Sequence, residues 1–301
     1  MTEALTRSYL RALTPKRPPR DVPASWTAPS TARAGTAVDP EHLRRYRQLC
    51  GFPAEATLPL TYPHLTAFPM GMDLLTRRDF PYPVLGLVHI RNEITQLRPI
   101  AQTETLDYHV WVDKPYQHER GTAFDVRAEV SDAVGNLVWN SSSTYLRRAR
   151  TAENSSAPVP QPPASAASSA PASPGPPLPA WQLPSDLGRR YATLSGDRNP
   201  IHLYPWTARL FGFPRQIAHG MWTAARCLAA LDVPEAPAAS TPPAAPITFT
   251  VDFRAPVLLP SAVTLAAAPA DDSATTFTLA SPRSGRTHLT GRLAPSPMPS
   301  P

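Results

Sequence analysis

The sequence predicts an α+β chain built from two tandem units, each a long apolar helix followed by a set of antiparallel strands. Three observations carry this. Apolar residues at helical density fill 62–75 and again 219–231. Each stretch is followed by short strand-like runs, in which Phe124, Val126, Ala128 and Val130 alternate with Asp125, Arg127 and Glu129 as a strand with one wet face requires. Between the two blocks, 151–180 is almost pure Pro, Ala and Ser, which cannot bury enough surface to offset the entropy of ordering.

Taken in order, 1–38 is expected to be a flexible basic segment. Arg7, Arg11, Lys16, Arg17 and Arg20, with Tyr9, Leu10 and Leu13, faintly suggest an organelle-targeting peptide, mitochondrial for instance. No apolar core for secretion accompanies them and Glu3 counts against a transit peptide, so a cytoplasmic protein is expected. The stretch 21–37 reads as a loosely ordered connector. The first unit, 39–150, opens on Asp39 as a helix cap with Pro40 in the first turn, a helix over 41–50 and a stop at Gly51. Leu65, Phe68, Met70, Met72, Leu74 and Leu75 then make one buried helix despite Pro69 and Gly71. Strands are predicted at 84–94, 104–112, 122–132 and 137–146, with a hairpin turn at 133–136.

The linker 151–180 leads to the second unit, 181–294. It repeats the order: a helix at 186–193, a loop over 195–199, a short helix at 206–211 and the apolar helix at 219–231. Strands are predicted at 247–253, 262–268, 275–280 and 286–293, ahead of a disordered tail over 295–301.

Most of the chemistry lies in 191–226. Asp197, Asn199 and His202 surround Pro200. On a continuous helix residues five apart point about 140° away from each other, so Asp197 and His202 would not meet. Pro200 prevents that geometry by excluding Asn199 from the helical region, which makes the stretch before it a bent loop with Asn199 as cap of a new helix. Such a bend can bring a carboxylate and an imidazole to one water molecule, as general-base catalysis requires. The same six residues also read as ordinary turn chemistry around a half-buried histidine, and alone they leave both readings open.

The wider segment resembles the hydratase 2 signature of the MaoC-like dehydratase family. Tyr191, Ser195, Gly196, Asp197, Asn199, Pro200, Ile201 and His202 match its first block, and Ile217, Ala218, His219, Gly220 and Met221 its second. One departure is Tyr204, where the family commonly has an acidic residue. The resemblance covers the C-terminal unit. The first unit is similar to the noncatalytic half of fused double forms only by element order and by G-L-V-H-I-R-N-E-I-T, and it lacks the G-D-x-N-P-x-H block.

What the resemblance implies is a double hot dog, each unit a curved antiparallel sheet wrapped around a central helix, with one active site per chain. Its activity would be reversible hydration of trans-2-enoyl thioesters, or dehydration of (R)-3-hydroxyacyl thioesters of coenzyme A or acyl carrier protein. Asp197 and His202 would be the catalytic dyad, Asn199 would orient the water or the dyad, and Gly220 would offer its N–H to the thioester oxygen at a helix start. His219 is assigned to local hydrogen bonding. Phe68, Met70 and Met72 would line the acyl tunnel. Met221 and Trp222 fit either the core or an acyl pocket, and Arg215 either a phosphate of the carrier or plain solvent. No cofactor is implied, and a homodimer of fused pairs stays open.

Composition narrows the alternatives. The net charge of +6 suits an anionic partner such as nucleic acid or the phosphates of coenzyme A. No dense Lys/Arg run carries interleaved aromatics, which argues against nucleic acid. Cys50 and Cys227 make no disulfide framework or metal-ligand pair, so no metal is expected. No apolar stretch reaches membrane-spanning length. The competing readings are a noncatalytic carrier-binding subunit, against which the intact Asp197/His202 pair speaks, and a thioesterase. The latter would place a carboxylate on the central helix, and 219–231 contains none.

Overall fold

A computed structural model describes residues 26–148, 175–231, 246–270 and 273–296. The basic segment before 26, most of the expected linker and the tail beyond 296 lie outside the described residues. The strands are β1 (Ser30–Ala37), β2 (Leu87–Gln96), β3 (Thr105–Val112), β4 (Tyr116–His118), β5 (Gly121–Ser131), β6 (Leu137–Arg148), β7 (Trp181–Leu183), β8 (Ile247–Phe253), β9 (Ser261–Pro269), β10 (Thr275–Ala280) and β11 (Thr287–Pro295). The helices are α1 (Pro40–Cys50), α2 (His64–Thr76), α3 (Leu187–Ser195), α4 (Pro200–Leu203), α5 (Pro205–Arg209) and α6 (Gly220–Ala230).

All the strands belong to one sheet, in the order β1-β3-β5-β6-β2-β8-β11-β10-β9-β7, with β4 beside β5. Every pairing is antiparallel. The order is itself a duplication. In each half the strand that follows the central helix sits at the middle of the molecule, and the strand that precedes that helix sits at an outer edge. The halves meet where β2 pairs with β8, from Arg91 opposite Asp252 to Gln96 opposite Ile247. Arg91 Nη1 reaches Asp252 Oδ1 at 3.2 Å across that seam, and the hydroxyls of Thr95 and Thr248 lie 2.9 Å apart.

The central helices are fixed by close approach. A Cβ on Gly71 would stand 2.9 Å from Val126 Cγ1, so glycine lets α2 lie directly on β5. Most of α2 is buried, which explains why its sequence is apolar on every side and why Pro69 is tolerated: packing on the sheet outweighs one lost helical hydrogen bond. Helix α1 begins as the sequence predicts, with Asp39 Oδ1 accepting from the amides of Glu41 and His42 at 2.9 and 3.2 Å and with Gly51 at φ 84° ending it. His42 then ties the halves together, one ring nitrogen 2.9 Å from Tyr62 Oη and the other 2.9 Å from the Leu194 carbonyl.

Three expectations are corrected. The connector expected over 21–37 contains edge strand β1, paired to β3 with a bulge between Arg33 and Thr36, where Gly35 (φ 64°) donates its N–H to Asp107 Oδ1 at 2.7 Å. The end of the expected linker is not loose, because Leu178 N donates to the Leu265 carbonyl and Thr264 Oγ1 to the Leu178 carbonyl, both at 2.7 Å. Strand β11 also runs on to Pro295, where the tail was expected to have started, and Ala294 is buried. No helix among the described residues is long and apolar enough to cross a membrane.

Candidate active site

The turn between α3 and α4 is built from its own side chains. Gly196 leaves α3 in the left-handed region at φ 74°, and the Ser195 hydroxyl donates to the Tyr191 carbonyl while accepting from Asp197 N. Asp197 Oδ1 accepts from Asn199 N at 3.1 Å, and Asn199 Oδ1 accepts from Ile201 N at 3.3 Å. Asn199 is therefore the cap of α4, with Pro200 in its first position. Gly188 in α3 backs the turn so closely that a Cβ there would stand 2.0 Å from the His202 carbonyl oxygen.

This folding brings Asp197 and His202 together, with Nε2 of the imidazole 3.9 Å from Oδ2 of the carboxylate. That is too long for a direct hydrogen bond and suits one shared water. The other nitrogen, Nδ1, lies 2.9 Å from the Ile217 carbonyl. A carbonyl only accepts, so Nδ1 carries the hydrogen and Nε2 presents a bare lone pair to Asp197. The carbonyl is itself held in place, since Ile217 N donates to Ile201 O at 3.0 Å and Ala218 N to Val257 O at 2.9 Å.

His219 completes the cluster. Its ring stacks on that of His202 with centroids 3.7 Å apart, and its Nε2 lies 3.0 Å from the Asp197 carbonyl and 3.7 Å from Oδ2. By the same logic Nε2 of His219 is its protonated nitrogen. Burial lowers the pKa of both rings against the pull of the Asp197 carboxylate, and His219, with the His202 ring beside it, is pushed down to about 3. Both imidazoles are thus neutral at neutral pH.

Asp197, His202 and His219 offer ligand atoms within 4.8 Å of one another, the only such group among the described residues. Because His219 Nε2 gives its hydrogen to a carbonyl, two donors converge, fewer than the three or four protein ligands a zinc site uses.

Gly220 heads α6, and no side chain caps that end, which leaves the first helical amides unclaimed by any capping group. A Cβ on Gly220 would sit 3.0–3.2 Å from the Phe253 ring, so the absence of a side chain also serves packing.

The remaining predicted residues separate. Phe68 and Met72 line a small cavity between α2 and the strands of the first half, whereas Met70 on the same helix is buried outside that lining. Met221 and Trp222 belong to the hydrophobic core, Trp222 Nε1 donating to the Leu49 carbonyl at 3.1 Å, and Arg215 is exposed to solvent. A run of ring contacts links the cavity to the head of α6. Tyr145 in the cavity wall stacks on His89 at 4.8 Å, His89 meets Phe253 at 4.9 Å, and Phe253 lies against Gly220. The Asp197 charge reaches His64, His89 and Tyr145, in each case secondary to burial. These residues, with Gly188, were missed by sequence reasoning. The one signal pointing to them is the L-V-H-I-R-N run of β2, which sets His89 between the apolar Val88 and Ile90.

Comparison with known proteins bears on the same residues. Residues 171–278 match the family described as MaoC like domain. The chain is 37% identical over 254 residues to 3-hydroxyacyl-thioester dehydratase X of Mycobacterium tuberculosis, covering 84% of each chain. It is 42% identical over 67 residues to 3-hydroxybutyryl-CoA dehydratase of Methylorubrum extorquens, covering 22% of this chain and 40% of that one. Among solved structures, HtdX of Mycobacterium tuberculosis superposes with a TM-score of 0.72 at 33% identity, covering 89% of this chain and 100% of that one. A MaoC-like dehydratase from Phytophthora capsici superposes at 0.70 with 17% identity, covering 90% and 96%, a likeness of fold.

Proposed function

The chain belongs to the MaoC-like dehydratase family, and on that premise we propose that it is a hydro-lyase interconverting (R)-3-hydroxyacyl and trans-2-enoyl thioesters in acyl metabolism. The observation that carries the reading is the tautomer of His202. Its Nδ1 hydrogen is committed to the Ile217 carbonyl, so the unprotonated Nε2 faces Asp197 Oδ2 across 3.9 Å.

In the direction of hydration, one water lies between Nε2 and Oδ2 and gives its proton to Nε2 as its oxygen bonds to C3 of the enoyl group. The C2–C3 double-bond electrons move toward the thioester, whose oxygen becomes negative. Amides at the head of α6, that of Gly220 first, meet this charge without reorganising, since the helix dipole already favours an anion there. A proton returns from the dyad to C2, and the dyad ends in its starting state. Dehydration runs through the same steps in reverse. Asp197 stabilises the imidazolium formed in passing, Asn199 fixes the turn, and His219 positions both by stacking on His202 and bonding the Asp197 backbone. The acyl chain enters the cavity lined by Phe68 and Met72 in the half that lacks the motif. The thioester's carrier, coenzyme A or acyl carrier protein, remains outside, where Arg215 is available to a phosphate.

Loss of the enoyl absorbance of crotonyl-CoA tests the assignment. Asp197→Asn and His202→Ala are each expected to lower turnover by about 100-fold or more, the scale of a lost general base, with melting curves that stay cooperative. Normal hydration by both folded variants sinks the dyad. No turnover by the wild-type protein on any enoyl or 3-hydroxyacyl thioester favours a noncatalytic carrier-binding subunit.

A further inference from the structure

The cavity of the first half has two faces of different chemistry. Helix α2 contributes the apolar Ala67, Phe68, Met72 and Leu75 and, in its first turn, His64, while Ser141, Ser143 and Tyr145 of β6 make a polar wall on the sheet side. Ser141, Ser143 and Tyr145 are alternate residues of β6 and so share one side of the sheet. Strand β2 joins the same wall through an irregularity. Its register against β6 slips between His89 and Arg91, which sets His89 opposite Tyr145 and Asn92 opposite Ser143. In a regular strand residues three apart point to opposite faces, and a bulge is what puts both on one. Asn92 Nδ2 accordingly donates to Ser143 Oγ at 2.9 Å.

Three atoms at or beside this wall, His64 Nδ1 on α2 and His89 Nε2 and Asn92 Oδ1 on β2, are buried with no hydrogen-bond partner among the described residues. Buried polar atoms are rarely left unpaired, and several together mark a place where something else supplies the partners. The wall carries no fixed charge. Burial pushes His64 down to about 4 and His89 to about 3, so both are neutral donors and acceptors near pH 7. A carboxylate would find no counter-charge among these groups and would be opposed by the Asp197 charge that reaches them, whereas a hydroxyl or ketone would find both donors and acceptors.

We propose that this wall selects thioesters whose acyl chain carries a neutral oxygen substituent, a hydroxyl or a ketone, beyond the reacting carbons. The inference rests on the dehydratase reading above and adds its substrate class: Ser141, Ser143 and His64 bind the substituent while the apolar face of α2 packs the methylenes.

The test compares kcat/KM for (R)-3-hydroxyoctanoyl-CoA with three versions of that chain bearing one further hydroxyl on carbon six, seven or eight. The wild-type protein is expected to favour one oxygenated chain by about tenfold or more, because a site built to bond a hydroxyl discriminates against its absence. Ser141→Ala/Ser143→Ala and His64→Phe are expected to bring that ratio to near one. Equal use of all four chains, or preference for the plain one, overturns the proposal and means that the wall binds water only. So does a double variant that folds and keeps the wild-type ratio. The wild-type ratio decides even if a variant fails to fold. Failure of every thioester to turn over refutes the dehydratase reading instead, and calorimetric affinities for the same four thioesters then judge the wall by the same ratio.

Discussion

Replacing Gly188 with alanine tests whether the position of His202 is set from behind. The new Cβ would lie 2.0 Å from the His202 carbonyl oxygen, 3.0 Å from its carbonyl carbon and 3.5 Å from its Cα. An ordinary carbon–oxygen contact is about 3.3 Å or more, so the His202 backbone must retreat by about 1 Å. The neighbour is backbone on the two-residue side of a proline-led turn, with no flexible side chain to absorb the shift. A misplacement of about 1 Å can lower turnover by about 100-fold, or about 2.7 kcal/mol of barrier, and the overpacking itself costs about 1–3 kcal/mol of stability. Steady-state crotonyl-CoA hydration with thermal melts separates the two effects, given a control. Gly291→Ala in β11 forces a Cβ to within 2.1 Å of the Phe277 ring, away from the turn. It is expected to lose comparable stability and keep kcat below its melting temperature. A folded Gly188→Ala protein with wild-type kcat, or equal losses of kcat in both variants, refutes the reasoning.

Three further outcomes concern buried side chains. Because burial lowers the pKa of His202, its base form persists below the ordinary imidazole range, and kcat/KM is expected to stay level as pH falls through 6.5 before it drops; a fall centred at or above 6.5 contradicts this. Stability is expected to behave differently. His64, His89 and His219 stay neutral in the folded chain down to about 4, 3 and 3 but protonate at about 6.5 when unfolded. Unfolded chains therefore bind more protons in that window, and the melting temperature should fall steadily as pH drops from about 6.5 toward 4. Trp222→Phe is expected to cost about 1–3 kcal/mol in urea unfolding by leaving the Leu49 carbonyl unpaired, with turnover unchanged, as befits a core residue; a large loss of turnover would place it in the site.

What could be read from the sequence was what is local. The alternation in β5 and the strands of the second half are encoded by neighbours two residues apart, and their observed bounds lie close to the expected ones. Asp197, Asn199 and His202 meet because Pro200 and Gly196 bend the chain within a few residues. Strand β1 escaped notice because Ser30–Ala37 has little β-branched character and owes its conformation to β3. Strands β4 and β7 are three residues each, too short to show a period. His64, His89 and Ser143 escaped for a deeper reason. His89 and Ser143 are brought together by a bulge and by the pairing of β2 with β6, and His64 by the packing of α2 on that sheet, contacts that join segments far apart in the chain.

The pairing of β2 with β8 has a mechanical implication. Along β2 and β8, six consecutive residue pairs, an ion pair and a threonine contact make a joint with the character of any interior strand pair. Severed there, each fragment would present a raw sheet edge in search of a neighbour, and the turn that holds Asp197 and His202 would lose Tyr145 and His89 from its surroundings. Neither fragment would then be half an enzyme; one would hold the Asp197 and His202 pair without a floor, the other a lined chamber with nothing to do.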